Sequence, residues 1–136
     1  LRRETVKTER IGEHTCEFAM VNPQRQGLSA RYAWMAVAER ETGNDPLQAI
    51  QKLDLDSGAT HTWSAAPRGF VSEPVMVRRP GAEAEDDGWV LDLVWNGARQ
   101  AADLVVLDAR DLAEVAVLEL PLAVPHGLHG SWAPAS

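Results

Sequence analysis

Short segments in which apolar residues alternate with polar ones, or run together for a few positions, recur along the whole chain. That is the pattern of half-buried or fully buried β-strands. Glu13 to Met20 is a first candidate, closed by a turn between Val21 and Pro23. Arg31 to Ala38 (RYAWMAVA) follows. Side chains in a strand alternate with a period of two, so Tyr32, Trp34 and Ala36 share one face and Met35 and Val37 the other. Thr42 to Pro46 carries turn chemistry. Ala49 to Leu55 sets Ile50, Lys52 and Asp54 against Gln51, Leu53 and Leu55. The turn Asp56-Ser57-Gly58 leads into a second strand at Thr60 to Trp63, and the pair predicts a hairpin.

The same alternation continues in the second half. Val71 to Arg78 is an apolar run, and Pro80 to Gly88 (PGAEAEDDG) reads as an acidic surface loop. Trp89 to Trp95 (WVLDLVW) is a strong strand pattern, followed by a turn over Asn96 to Ala101 and a β-branched buried strand at Leu104 to Leu107. Asp108 to Leu112 turns the chain, and Val115 to Leu120 pairs back; a short helix over Asp111 to Leu118 is the weaker alternative because of its β-branched content. Pro121 to Trp132 is rich in proline and glycine.

Many short strands at regular spacing predict an all-β sandwich, barrel or propeller. An internal repeat favours the propeller. Leu53 to Gly58 (LDLDSG) resembles Val106 to Asp111 (VLDARD), and each is followed by a strand and then a Pro-x-Gly, at Pro67-Arg68-Gly69 and Pro125-His126-Gly127. A unit of this length lies near that of a propeller blade. Two units cannot close a ring and would leave open sheet edges, so the chain is expected to be part of something longer, an expectation that its start at Leu1 fits.

Composition narrows the function classes. The net charge of −7 argues against a nucleic-acid surface. Arg2, Arg3, Lys7 and Arg10 stand among glutamates, as on a solvated face. The single cysteine, Cys16, allows neither an internal disulfide nor a cysteine metal site, which fits a reducing cytoplasm. No apolar run is long enough for a membrane-spanning helix.

Chemistry must then come from histidine and carboxylate. His126 and His129 lie three apart in a Pro/Gly-rich loop, where they are read either as metal ligands or as loop histidines held by backbone carbonyls. His14 and His61 sit in polar, strand-like contexts and are expected to be exposed. Glu17 and Glu73 interrupt apolar segments, so each points outward or is buried with a partner. Spacing favours the second reading: Glu73 follows Glu17 by 56 residues (73 − 17), and His129 follows Glu73 by the same 56 (129 − 73). Equivalent positions on the inner strands of a propeller converge on its axis.

At these residues the chain resembles the carotenoid cleavage oxygenase (retinal pigment epithelial membrane protein) family, in its C-terminal portion. The matching stretches are Cys16-Glu17-Phe18 with Val21-Asn22-Pro23 and Arg31-Tyr32; Gly69 to Val75 (GFVSEPV); Asp86 to Leu91 (DDGWVL); Leu104 to Ala109 (LVVLDA); and Val124 to Trp132 (VPHGLHGSW). They run from residue 16 to the end in the family's order. The resemblance implies an all-β fold, the last two to three blades of a seven-bladed propeller, over residues 1–136. It implies one ferrous iron per full-length subunit, held by four histidines whose distal nitrogens are held by three glutamates. By motif, His129 matches the last iron ligand, and Glu17 and Glu73 match two of the glutamates; the remaining ligands would lie upstream of Leu1. His126 stands where relatives often carry an aromatic residue. The implied activity is oxidative cleavage, with dioxygen, of a carbon–carbon double bond in a carotenoid, apocarotenoid or stilbene, giving two carbonyl products.

With one ligand, these 136 residues alone are expected to be inactive. Peripheral membrane contact through upstream segments stays open. Two other readings remain at this point: a non-catalytic propeller fragment serving as an interaction module, and an autonomous small β-domain. Of the five tryptophans, Trp132 is the candidate for lining a tunnel, whereas Trp89 and Trp95 are expected to fill space between blades.

Overall fold

The computed structural model describes residues 5–41 and 45–133. Most of the expected Thr42–Pro46 turn, and Arg2 and Arg3, lie outside the described residues. Two antiparallel sheets stack on each other. The first is a meander of β1 (Cys16–Val21), β2 (Tyr32–Ala38), β3 (Leu47–Asp54) and β4 (Thr60–Ser64) in that spatial order. The second contains β5 (Gly69–Phe70), β6 (Val75–Arg78), β7 (Gly88–Asn96), β8 (Ala101–Asp108) and β9 (Glu114–Glu119). In it β7, β8 and β9 form the meander, while β5 and β6 both pair with β7 along the same edge. Among the described residues there is no α-helix, only a 3₁₀ turn at Pro23–Arg25. The weaker helical alternative over Asp111 to Leu118 is not formed: most of that segment lies in strand β9, which spans Glu114–Glu119.

The core lies between the sheets. Trp34, Ala36 and Ile50 of the first sheet pack against Met76, Val90, Val94, Val105 and Leu107 of the second. The opposite face of the first sheet buries Ala33, Met35, Val37, Ala49 and Leu53 in a smaller cluster. Strand β2 is thus buried on both faces, as its two sets of apolar side chains require. Trp34 is the tryptophan that fills the junction, and its indole N–H donates to the Ala109 carbonyl at 3.1 Å. Trp89 does not fill it: the ring is half-buried beneath the Arg79 guanidinium, 4.3 Å from its centroid.

The inner edge strands depart from the simple pattern. Strand β1 begins at Cys16, because residues 13–15 are outside the ladder. Between the pairs Glu17–Ala36 and Met20–Trp34 it carries one extra residue, a bulge, with Phe18 in the left-handed region at φ 57°. The Val71–Arg78 run is not one strand. Phe70 pairs with Trp95 and Val75 with Leu91, so four residues, 71–74, face three, 92–94. Proline 74 has no N–H to give a ladder, and the Ser72 N–H is taken by the Asp92 carboxylate at 2.9 Å. Both inner strands therefore break beside a glutamate. They also touch: the Met76 N–H points at Met20 Sδ, 2.8 Å away and 56 residues apart in sequence.

The acidic segment 80–87 is a loop, but its carboxylates do not simply face water. Asp86 accepts from the Lys52 ammonium at 2.6 Å, Glu85 accepts the Arg31 and Tyr32 N–H groups, and Asp87 pairs with Arg79 and Arg110. Their partners come from β2 and the residue before it, from β3, from the residue after β6 and from the turn after β8, so the loop fastens one sheet to the other. Buried donors without strand partners need acceptors, and this loop supplies them.

Candidate functional site

The break between β5 and β6 turns Glu73 toward residues 126–130, which run past the end of β6. Glu73 is only 16% exposed, and its Oε1 lies 3.2 Å from His129 Nδ1. Its Oε2 accepts the Gly130 N–H. Two residues equivalent in the repeat and 56 apart in sequence are thus bonded side chain to side chain. An ionised carboxylate only accepts hydrogen bonds, so Nδ1 must carry the proton. A neutral His129 then presents an unprotonated Nε2, and its side chain is 80% exposed, free to ligate.

Phe18 closes another side of this imidazole. Its ring meets the His129 ring edge-on, with centroids 6.1 Å apart and an interplanar angle of 89°. A non-glycine residue at positive φ costs on the order of 1–3 kcal/mol, and here that backbone directs the phenyl ring at the candidate ligand. Glu17, one residue earlier, is exposed on β1, where it pairs with Ala36 of β2. The structure therefore joins Glu73 to His129 and brings Glu17 to neither.

The other histidines sort differently. His14, expected to be exposed, is half-buried with Nδ1 2.9 Å from the Ala38 carbonyl, because the residues before β1 fold back along the end of β2. His61 is exposed on β4. His126 Nδ1 is 3.4 Å from Ser72 Oγ. Trp132 is exposed and, with His129, lines a cleft of about 430 Å³ over the far face of the second sheet. Leu91, Leu93 and Leu104 form the apolar floor of that cleft.

Asp92 is the residue of this region that reading the sequence passed over. It interrupts WVLDLVW, an otherwise apolar run, as Glu17 and Glu73 interrupt theirs. Asp92 is 1% exposed; Oδ1 accepts the Ser72 N–H, and Oδ2 has no partner among the described residues. Burial pushes its carboxyl up to about 7, against the pull of the Ser72 N–H.

Among the described residues no group of three or more His, Cys, Asp or Glu meets in a way that would hold a metal. The chain offers one imidazole whose tautomer a carboxylate fixes, and that fits one ligand position of a divalent transition metal. No helix among the described residues is long and apolar enough to cross a membrane.

The chain matches the family described as retinal pigment epithelial membrane protein over residues 1–134. It is 47% identical over 131 residues to the apocarotenoid-15,15'-oxygenase of Synechocystis sp., covering 95% of this chain and 27% of that protein. It is 32% identical over 131 residues to lignostilbene-alpha,beta-dioxygenase isozyme III of Sphingomonas paucimobilis, covering 88% of this chain and 27% of that protein. The crystal structure of cobalt-substituted Synechocystis ACO superimposes with a TM-score of 0.93 at 46% identity, over 96% of this chain and 28% of that one. This chain thus spans little more than a quarter of these proteins. Its two sheets are blades of the β-propeller that these proteins form. By the match over residues 1–134, the chain belongs to the carotenoid cleavage oxygenase (retinal pigment epithelial membrane protein) family.

Proposed function

We propose that the chain supplies the last two blades of a seven-bladed, non-haem iron(II) dioxygenase. This enzyme cleaves a carbon–carbon double bond of a carotenoid, apocarotenoid or stilbene into two carbonyl products. The observation that carries the reading is the Glu73–His129 hydrogen bond, which leaves Nε2 of His129 available. The names of similar proteins, an apocarotenoid oxygenase and a lignostilbene dioxygenase, point to the same substrate classes.

In this reading His129 is one of four iron ligands, Glu73 holds its Nδ1 proton, and Glu17 holds that of a histidine outside this chain. The iron, when bound, supplies the dioxygen chemistry. The residues of this chain orient and dry the site. Glu73 fixes the imidazole tautomer and keeps the ring from turning. Phe18 covers one side of the ring, and the apolar floor of Leu91, Leu93 and Leu104 excludes water. Trp132 flanks the approach of a flat, conjugated substrate. We place the enzyme in the cytoplasm, in peripheral contact with the membrane that dissolves its apolar substrate.

The test is dioxygen-dependent cleavage of an apocarotenoid by the intact protein, with both carbonyl products identified. Wild type is expected to form them and His129→Ala to lose them. Cleavage that survives His129→Ala would remove His129 from the ligand set, and a wild type that forms no products would leave the likeness one of fold alone.

A further inference from the structure

The inner edge of the second sheet is held at its weakest point by a side chain. Strands β5 and β6 pair with opposite ends of β7, and no β7 ladder bond holds residues 71–74 between them; Val71, at the start of the gap, is tied instead to the Leu47 carbonyl of β3 at 3.0 Å. Yet these are the residues that place Glu73. Asp92 stands on β7 opposite this gap, and its Oδ1 accepts the Ser72 N–H at 2.9 Å. From there three contacts reach the 126–130 segment: Ser72 Oγ to His126 Nδ1 at 3.4 Å, and Glu73 to His129 and to the Gly130 N–H. Asp92 is 1% exposed and its second oxygen has no partner among the described residues, so the sheet keeps a costly buried carboxyl there. A leucine, with the same branching though larger, would suit the apolar neighbours Trp89 to Leu91 and Leu93 to Trp95. What leucine lacks is the acceptor for Ser72.

We propose that Asp92 is a positioning residue of the metal centre: by holding the Ser72 N–H it fixes the break between β5 and β6, and so holds the Glu73 carboxylate on His129. This rests on the reading of His129 as a ligand. It deepens that reading by adding a link on β7 behind the glutamate, Asp92 to Ser72, Ser72 to Glu73, Glu73 to His129.

The test uses the intact protein and the affinity for cobalt(II), read from its visible absorption, together with thermal unfolding of each apo-protein. Loss of a partner behind a metal-binding histidine typically weakens metal affinity by about 10- to 100-fold. Glu73→Ala is expected to show a loss of that size. Asp92→Leu is expected to approach it with the fold retained, and Asp92→Asn, which keeps an oxygen acceptor, to bind cobalt(II) within about threefold of wild type. The double variant Glu73→Ala/Asp92→Leu is the decisive arm. If Asp92 acts through Glu73, the double variant binds no more weakly than Glu73→Ala alone. Independent losses that multiply would overturn the proposal, as would unchanged affinity in Asp92→Leu. Should Asp92→Leu fail to fold, the Asp92→Asn arm decides, since weakening there to the level of Glu73→Ala contradicts the acceptor role. If Glu73→Ala itself leaves cobalt(II) binding unchanged, the reading of the metal centre fails instead.

Discussion

Replacing Lys52 by methionine tests whether the acidic loop fastens the two sheets. Lys52 lies on β3, and its side chain is 5% exposed. The ammonium donates to Asp86 at 2.6 Å and to the Arg110 carbonyl at 2.7 Å, and it sits 4.1 Å from the centroid of the Tyr32 ring. Methionine keeps the stem and removes the charge. Asp86, 17% exposed, would be left without its cation. Breaking a buried ion pair from one side costs about 3–5 kcal/mol. The residual access of Asp86 to water places this one near the lower end, at about 3 kcal/mol. The assay is urea unfolding of the intact protein, followed by tryptophan fluorescence, with Trp34 close to the pair. The midpoint should fall at unchanged slope. The double variant Lys52→Met/Asp86→Leu should recover most of the loss, because replacing both charges by apolar groups is often neutral or better. A single-variant loss below about 1 kcal/mol, the value of a surface pair, would refute the clamp. So would a double variant as unstable as the single one.

Further predictions concern pH and packing. Between the ordinary aspartate pKa of 3.8 and the folded value of about 7, Asp92 is protonated in the native state and ionised in the unfolded one. The native state then binds more protons, so this carboxyl's contribution is fully present below pH 3.8 and falls away as pH rises to about 7. The slope is at most about 1.4 kcal/mol per pH unit. Asp92→Asn should lose that slope and exceed wild type in stability at pH 8; an equal change in urea-derived stability between pH 5 and pH 8 in wild type and variant would contradict the assignment. Gly88→Ala should destabilise by about 1–3 kcal/mol, because the new methyl meets the Val77 carbonyl and the Arg78 Cα inside the β6–β7 pairing. A shift under about 0.5 kcal/mol, the size of an ordinary surface change, would show that this edge yields.

Much of the fold was legible because strand alternation is a local property. The two faces of residues 31–38 fall into two separate clusters, as the period of two requires. The hairpin across Asp56–Gly58 and the strand centred on Leu91–Val94 were equally visible. What alternation could not show depends on residues far away in sequence. The apolar run 71–78 reads as continuous until Pro74 and the tie from Asp92 to Ser72 are seen together. The acidic loop reads as surface because its polarity is local, while the Lys52, Tyr32 and Arg110 that turn it inward belong to other strands and to the turn after β8. The site was partly legible for a different reason. A repeat places equivalent residues near one another, and the spacing of 56 was matched by a contact between Glu73 and His129 but, among the described residues, by none between Glu17 and Glu73. The same logic did not reveal Phe18, whose part in the site depends on a bulge and a positive φ.

The central claim is that His129 is a metal ligand held by Glu73. The most direct measurement is the iron content of the intact protein, purified without oxygen, for wild type, His129→Ala and His126→Ala. Wild type and His126→Ala should carry about one iron per chain, as one mononuclear site implies, and His129→Ala little or none. Full iron retention in His129→Ala, or its loss in His126→Ala with His129 intact, would contradict the account.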